Sequence, residues 1–100
     1  MKESITVGEL IEMDDSRIAV CDLRDPVSFG FGTVKGAENY PPERLGELFD
    51  IPADKKIVVF CQSGQNSGEI VRLLRDSGRD AADIIGGYRE YVRFIMKRDD

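Results

Sequence analysis

The chain has 100 residues and no histidine among them. That removes the side chain that titrates nearest neutrality and the commonest transition-metal ligand. Cysteine is almost as scarce, with only Cys21 and Cys61. They form no Cys-x-x-Cys pair and no cluster with carboxylates at ligand spacing, so neither a disulfide framework nor a metal site is expected, and no cofactor is implied. Basic charge is in deficit, with 14 Lys and Arg against 19 Asp and Glu and a net charge of -5. Nucleic acids and anionic membranes both require a basic face, so neither is expected as a partner, and free anionic substrates are mildly disfavoured. There is no secretory apolar segment at the N-terminus and no run long enough to span a bilayer. A soluble, cytoplasmic protein with reduced thiols is the expectation.

What is present suits one small domain over residues 1–100. A composition of 41% hydrophobic and 33% charged residues supports a single modest core and not a disordered chain. Thr6-Val7-Gly8-Glu9 reads as a capping box, with Ile5 and Leu10 as its staple and a helix to about Asp14. Ile18 to Cys21 reads as a buried strand. Asp25-Pro26 starts a short helix carrying Val27 and Phe29, ending at Gly30 or Gly32. A very short strand is expected at Glu38-Asn39, then a helix from Pro42 with Leu45, Leu48 and Phe49 inward. Its acids, Glu43, Glu47 and Asp50, read as a solvated face. Four consecutive apolar residues, Ile57 to Phe60, make a strand covered on both faces. Ile70, Val71, Leu73 and Leu74 mark one face of a helix closed by Gly78. A strand over Ala82 to Ile85, the pair Gly86-Gly87 and a helix with Tyr88, Tyr91, Val92 and Ile95 inward complete the pattern. Lys97 to Asp100 read as a frayed end. Strands and helices alternate, which predicts an α/β fold: a parallel sheet with helices on both faces.

In such folds sites lie beyond the carboxyl ends of the strands. Cys61 falls there, at the start of the loop Cys61-Gln62-Ser63-Gly64-Gln65-Asn66-Ser67. Gly64 permits positive φ, so successive amides can curl inward as an anion nest, and the following helix adds partial positive charge. Both favour thiolate, the reactive form of cysteine. Ser63 and Ser67 offer hydroxyl donors, or Ser67 caps the helix. Spacing alone leaves Cys61 open as a nucleophile or as a small hydrophobe closing a strand. Cys21, inside its strand, reads as inert core.

Asp22-Leu23-Arg24, Gly36-Ala37-Glu38-Asn39-Tyr40-Pro41, the Cys61–Ser67 loop and Ile85-Gly86-Gly87-Tyr88 occur in that order. In these segments the chain resembles the rhodanese family of single-domain sulfurtransferases over about residues 5 to 95. They match the family's D-x-R, its G-A-x-N-x-P, three of the four fixed positions of its active-site loop C-x-x-G-x-R-S (Cys61, Gly64 and Ser67) and its glycine pair before the last helix. Thr33 stands where the family usually has a structural histidine. In the loop, Asn66 replaces an arginine, and Gln62 stands where a basic residue is common. The resemblance implies a rhodanese-like fold and a Cys61 that carries sulfane sulfur as a persulfide. Gln62, Ser63, Gly64, Gln65, Asn66 and Ser67 would hold the substrate, and Asp22 and Arg24 would brace the site. A small sulfur-containing donor, a thiol or cyanide acceptor and a sulfur-relay protein are the implied partners. The neutral loop predicts weaker handling of thiosulfate and keeps open a non-catalytic binding or regulatory module. A phosphatase of related fold needs an arginine where Ser67 stands, and a thioredoxin-like reductase needs a second nearby cysteine.

Overall fold

The computed structural model describes residues 1–98. A parallel sheet of five strands runs in the order β1-β5-β4-β2-β3. The strands are β1 (Ser4–Ile5), β2 (Ile18–Asp22), β3 (Glu38–Asn39), β4 (Lys56–Phe60) and β5 (Ala81–Ile84). The helices are α1 (Val7–Ile11), α2 (Pro26–Phe31), α3 (Ser67–Asp76) and α4 (Gly87–Arg98), with 3-10 segments at Asp15–Arg17 and Pro42–Asp50. Among the described residues no helix is long and apolar enough to cross a membrane.

β4 is central, paired with β2 on one side and β5 on the other. Its alternating side chains feed two cores. Val58 and Phe60 pack with Val7 and Leu10 of α1 and are flanked by Tyr88, Tyr91 and Phe94 of α4. Ile57 and Val59 pack with Leu48, Ile51, and Val71 and Leu74 of α3. Ile57 through Phe60 are wholly inaccessible to solvent, as a strand covered on both faces requires. Burying a side chain of this size stabilises the fold by about 1.5–3 kcal/mol.

Several local expectations hold. The Thr6–Glu9 capping box forms in both directions, and Asp25 caps α2 ahead of Pro26. Glu43, Glu47 and Asp50 are exposed. Others change. α1 stops at Ile11 and not Asp14, because Asp14 accepts from the Ser16 amide and hydroxyl and so caps the next segment instead. Ile5 belongs to a two-residue strand as well as to the core beside Leu10. The Pro42 segment is a 3-10 helix, so Leu45 and Leu48, three residues apart, share the inward face; Phe49, a third of a turn away, is 45% exposed. In α3 the inward stripe is Ile70, Val71 and Leu74; Leu73 falls outside it and is 57% exposed. β5 starts one residue earlier, opposite Ile57, and leaves Ile85 exposed. Lys97 and Arg98 continue α4, and Asp99 and Asp100 lie outside the described residues.

One junction positions the loop after β4. The Tyr88 amide donates to the Cys61 carbonyl at 2.9 Å and the Arg89 amide to the Gln62 carbonyl at 3.0 Å. The first turn of α4 therefore grips the loop by its backbone. This approach requires Gly87, whose φ is +63° and where a Cβ would run into the Cys61 carbonyl and lie 2.9 Å from the Gly64 nitrogen. Gly87→Ala should cost at least about 2 kcal/mol, since left-handed strain and a backbone clash add. The check is the denaturant midpoint; a loss under about 1 kcal/mol would contradict this packing.

Candidate functional site

Cys61 is the first residue past β4, half-buried, with α3 beginning beyond the loop. Gly64, at φ +87°, turns its N–H onto the Cys61 Sγ at 3.1 Å. Partial burial is the largest single influence on the thiol and pushes its pKa up. The Asn66 and Gly64 amides, the Ser67 hydroxyl and the Ser67 amide together outweigh it, so the pKa falls below the ordinary 9.0. The Gly64 amide belongs to the loop, and the Asn66 and Ser67 amides open the first turn of α3, where unsatisfied N–H groups and the helix dipole favour negative charge. Cys21 is the opposite case. Burial, then the nearby Glu38, pushes its thiol up to about 12. It has no solvent exposure and packs among Leu48, Val59 and Leu74.

The other loop residues divide by orientation. Gln62, Gln65 and Asn66 are exposed and Ser63 and Gly64 are half-buried around the sulfur, so the rim is neutral. Asn66 is the N-cap of α3 but makes no side-chain cap bond. Ser67 does not cap the helix either. It is the first helical residue, fully buried, 3.9 Å from the Cys61 Sγ, and its hydroxyl donates to Asp83 Oδ2 at 3.0 Å.

Asp22 and Arg24 brace the neighbouring strand end. Arg24 Nε lies 3.0 and 3.2 Å from the two Asp22 oxygens, and its Nη2 lies 2.7 Å from Oδ2. The same Nη2 donates to the Gly32 carbonyl, and Thr33 Oγ1 donates to Asp22 Oδ2 at 2.7 Å. Asp22 is fully buried and the Arg24 side chain is 7% exposed. A buried pair of this kind holds geometry more than it adds stability, since desolvation offsets much of the attraction. Tyr88 stacks on the assembly, its ring 4.0 Å from the guanidinium carbon. Asn39 ties the turn down from the other side, donating to the Asp22 and Arg24 carbonyls. Arg24 Nη1 reaches the loop itself, at 3.3 Å from Gln62 Oε1. The separate sequence segments therefore converge on one strand-end platform. A cleft of about 570 Å³ bordered by Ala19, Cys21, Lys35, Tyr40 and Ile51 lies apart, touching no residue of the loop.

Asp83 belongs to none of the sequence motifs. Its signal was an aspartate inside the apolar run Ala81-Ala82-Asp83-Ile84-Ile85. It is 7% exposed, receives hydrogen bonds from Ser67 and from the Ser4 hydroxyl at 2.6 Å, and so sits directly behind the cysteine loop.

Comparison with known proteins agrees with this geometry. The Rhodanese-like domain family matches residues 6–94. A probable adenylyltransferase/sulfurtransferase MoeZ of Mycobacterium tuberculosis is 33% identical over 90 residues, covering 84% of this chain and 23% of that protein, so the chain spans under a quarter of that relative's length. The thiosulfate sulfurtransferase GlpE of Shewanella oneidensis is 29% identical over 84% of this chain and 86% of its own. The crystal structure of a rhodanese-related protein from Thermoplasma volcanium superposes with a TM-score of 0.81, at 30% identity and 92% coverage of both chains. With a parallel sheet, a cysteine at a strand end and a family match over nearly its whole length, this chain belongs to the rhodanese-like domain family, whose relatives include named sulfurtransferases.

Proposed function

We propose that residues 1–100 form one domain that transfers sulfane sulfur, carrying it as a persulfide on Cys61. One observation carries this reading: the Cys61 sulfur faces inward-turned amides at a helix start, with its pKa lowered despite partial burial. In the first half-reaction the thiolate attacks the outer sulfur of a donor. With thiosulfate the S–S bond breaks, sulfite leaves with the bonding pair, and Cys61 holds Cys–S–S⁻. In the second, an acceptor thiolate or cyanide attacks the outer sulfur, forms a new bond to it and expels the Cys61 thiolate. Each attacking group enters as an anion, so the scheme needs no histidine, and two half-reactions predict ping-pong kinetics. The Gly64, Asn66 and Ser67 amides are placed to hold the charge in both states. Gln62, Ser63 and Gln65 shape the rim, while Asp22 and Arg24 keep the strand end in register. Relatives named as sulfurtransferases make a sulfur-relay setting in a reducing cytoplasm the reading we favour. The neutral rim favours a second reading, a binding or regulatory module, to the extent that activity on anionic donors proves low.

Wild-type protein incubated with thiosulfate or a persulfide donor should gain one sulfur atom at Cys61 that cyanide releases. Cys61→Ser should gain none, and absence of added sulfur on wild type with every donor would end the proposal. Alkylation by iodoacetamide near neutral pH should modify Cys61 and spare Cys21. Because the Cys61 pKa is lowered, its rate should fall as pH drops through a midpoint below 9.0. Asn66→Arg should lower the KM for thiosulfate by about two- to fivefold, the value of one exposed charge contact; an unchanged KM would remove loop charge as the limiting factor.

A further inference from the structure

Asp83 has no part in the reaction as written, yet its carboxylate is buried and one hydroxyl removed from the reacting sulfur, on the far side of Ser67. No ion pair among the described residues involves it. Its side chain accepts from two hydroxyls, Ser4 from β1 on Oδ1 and Ser67 from α3 on Oδ2. The groups around it are few. From the loop and α3 it faces Ser67 and, behind that, Cys61. On the β1 side, the Glu3 carbonyl takes the Asp83 amide while the Glu3 carboxylate is exposed and points to Arg75. Arg75 of α3 donates to the Met1 and Ala81 carbonyls. On β4 the opposite residue is Val59.

A serine hydroxyl has one proton to give. With Cys61 as thiol, Ser67 gives it to Asp83 at 3.0 Å; the same hydroxyl, its oxygen 3.9 Å from the sulfur, is one of the donors that favour the thiolate, so it serves one anion at a time. When Cys61 ionises, Ser67 must choose between two anions. A dianionic donor adds a third concentration of negative charge at the same place. On the loop Gln62 and Asn66 are neutral; the Arg24 guanidinium reaches Gln62 Oε1 but is matched by the buried Asp22, and Arg89, whose amide meets the Gln62 carbonyl, has an exposed, solvent-screened side chain.

We infer that Asp83, acting through Ser67, is a specificity-determining residue of the Cys61 site: its buried negative charge disfavours dianionic sulfur donors such as thiosulfate and selects alkyl hydropersulfides, which bring at most one charge. This rests on the persulfide reading above. The step it favours is balanced. The Cys61 thiolate attacks the outer sulfur of RS–SH, the S–S bond breaks, RS⁻ leaves with the pair, and Cys61 holds Cys–S–SH with the donor's proton.

Two measurements decide it. In wild-type protein the ratio of Cys61 alkylation by anionic iodoacetate to that by neutral iodoacetamide, normalised to free cysteine, should be about tenfold below unity. A ratio at or above unity overturns the inference, and this arm needs neither sulfur transfer nor a variant. Asp83→Asn keeps an acceptor for Ser67 and removes the charge. It should raise the kcat/KM for thiosulfate about tenfold relative to that for the hydropersulfide of 2-mercaptoethanol, and lower the midpoint of the iodoacetamide pH profile by about one unit. An equal change with both donors, or an unmoved midpoint, overturns it. Should the variant fail to fold, Asp83→Ser, which keeps a hydroxyl partner for Ser67 and also removes the charge, takes its place, and a wild-type ratio at or above unity still overturns the inference. Should wild type accept sulfur from neither donor, the persulfide reading fails, while the rise in the iodoacetate-to-iodoacetamide ratio from wild type to Asp83→Asn still decides what the Asp83 charge does, an unchanged ratio overturning the inference.

Discussion

The site depends on a backbone grip. The first amides of α4 close onto the Cys61 and Gln62 carbonyls, and that approach is open only because Gly87 has no side chain and a left-handed φ. With those carbonyls engaged by α4, the loop's own N–H groups remain free to point the other way, at the sulfur. The same turn that ends β5 and starts the last helix thus sets the electrostatics of a cysteine on a different strand. A loop gripped on one side and leading into α3 on the other keeps its amides oriented before any charge arrives, which is what makes such donors effective.

Around that grip the molecule is built as a frame. β4 sends alternate side chains into two cores, so the strand carrying Cys61 at its end is the best-anchored element in the sheet. The Asp22–Arg24 pair, Thr33, Asn39 and Tyr88 then lock the adjacent strand end into a shared network. Thr33 shows how a departure from the family pattern is absorbed: its hydroxyl supplies a donor to the buried Asp22 carboxylate. The two thiols illustrate the same control by environment. Cys21 and Cys61 are chemically identical, but one is enclosed by apolar side chains and the other faces amides, and their pKa values move in opposite directions.

Much of this architecture was legible along the chain because it is local. The β4 run, the Thr6 capping box, the Asp25-Pro26 start and the Gly86-Gly87 turn are each decided within a few residues. The expectations that changed are those that depend on neighbours. Phe49 and Leu73 look inward by spacing, but the 3-10 pitch of one segment and the tilt of the stripe on the other turn them to solvent. β1 has two residues, too few for a period, and exists because the edge of β5 is there to pair with.

By itself the sequence determined the alternation of strands and helices, the place of Cys61 at a strand-to-helix junction and the neutrality of the loop around it. Each is a matter of residue type and short-range order. The turn of Gly64 and the start of α3 toward the sulfur was likewise readable from the loop's own spacing, and the structure shows it. Only the tertiary structure decided what stands behind the loop: it brought Asp83 from a distant strand to Ser67. Hydrogen bonds and burial depend on distance in space, and residue 83 joins residues 61 and 67 only when β4 and β5 pair in register.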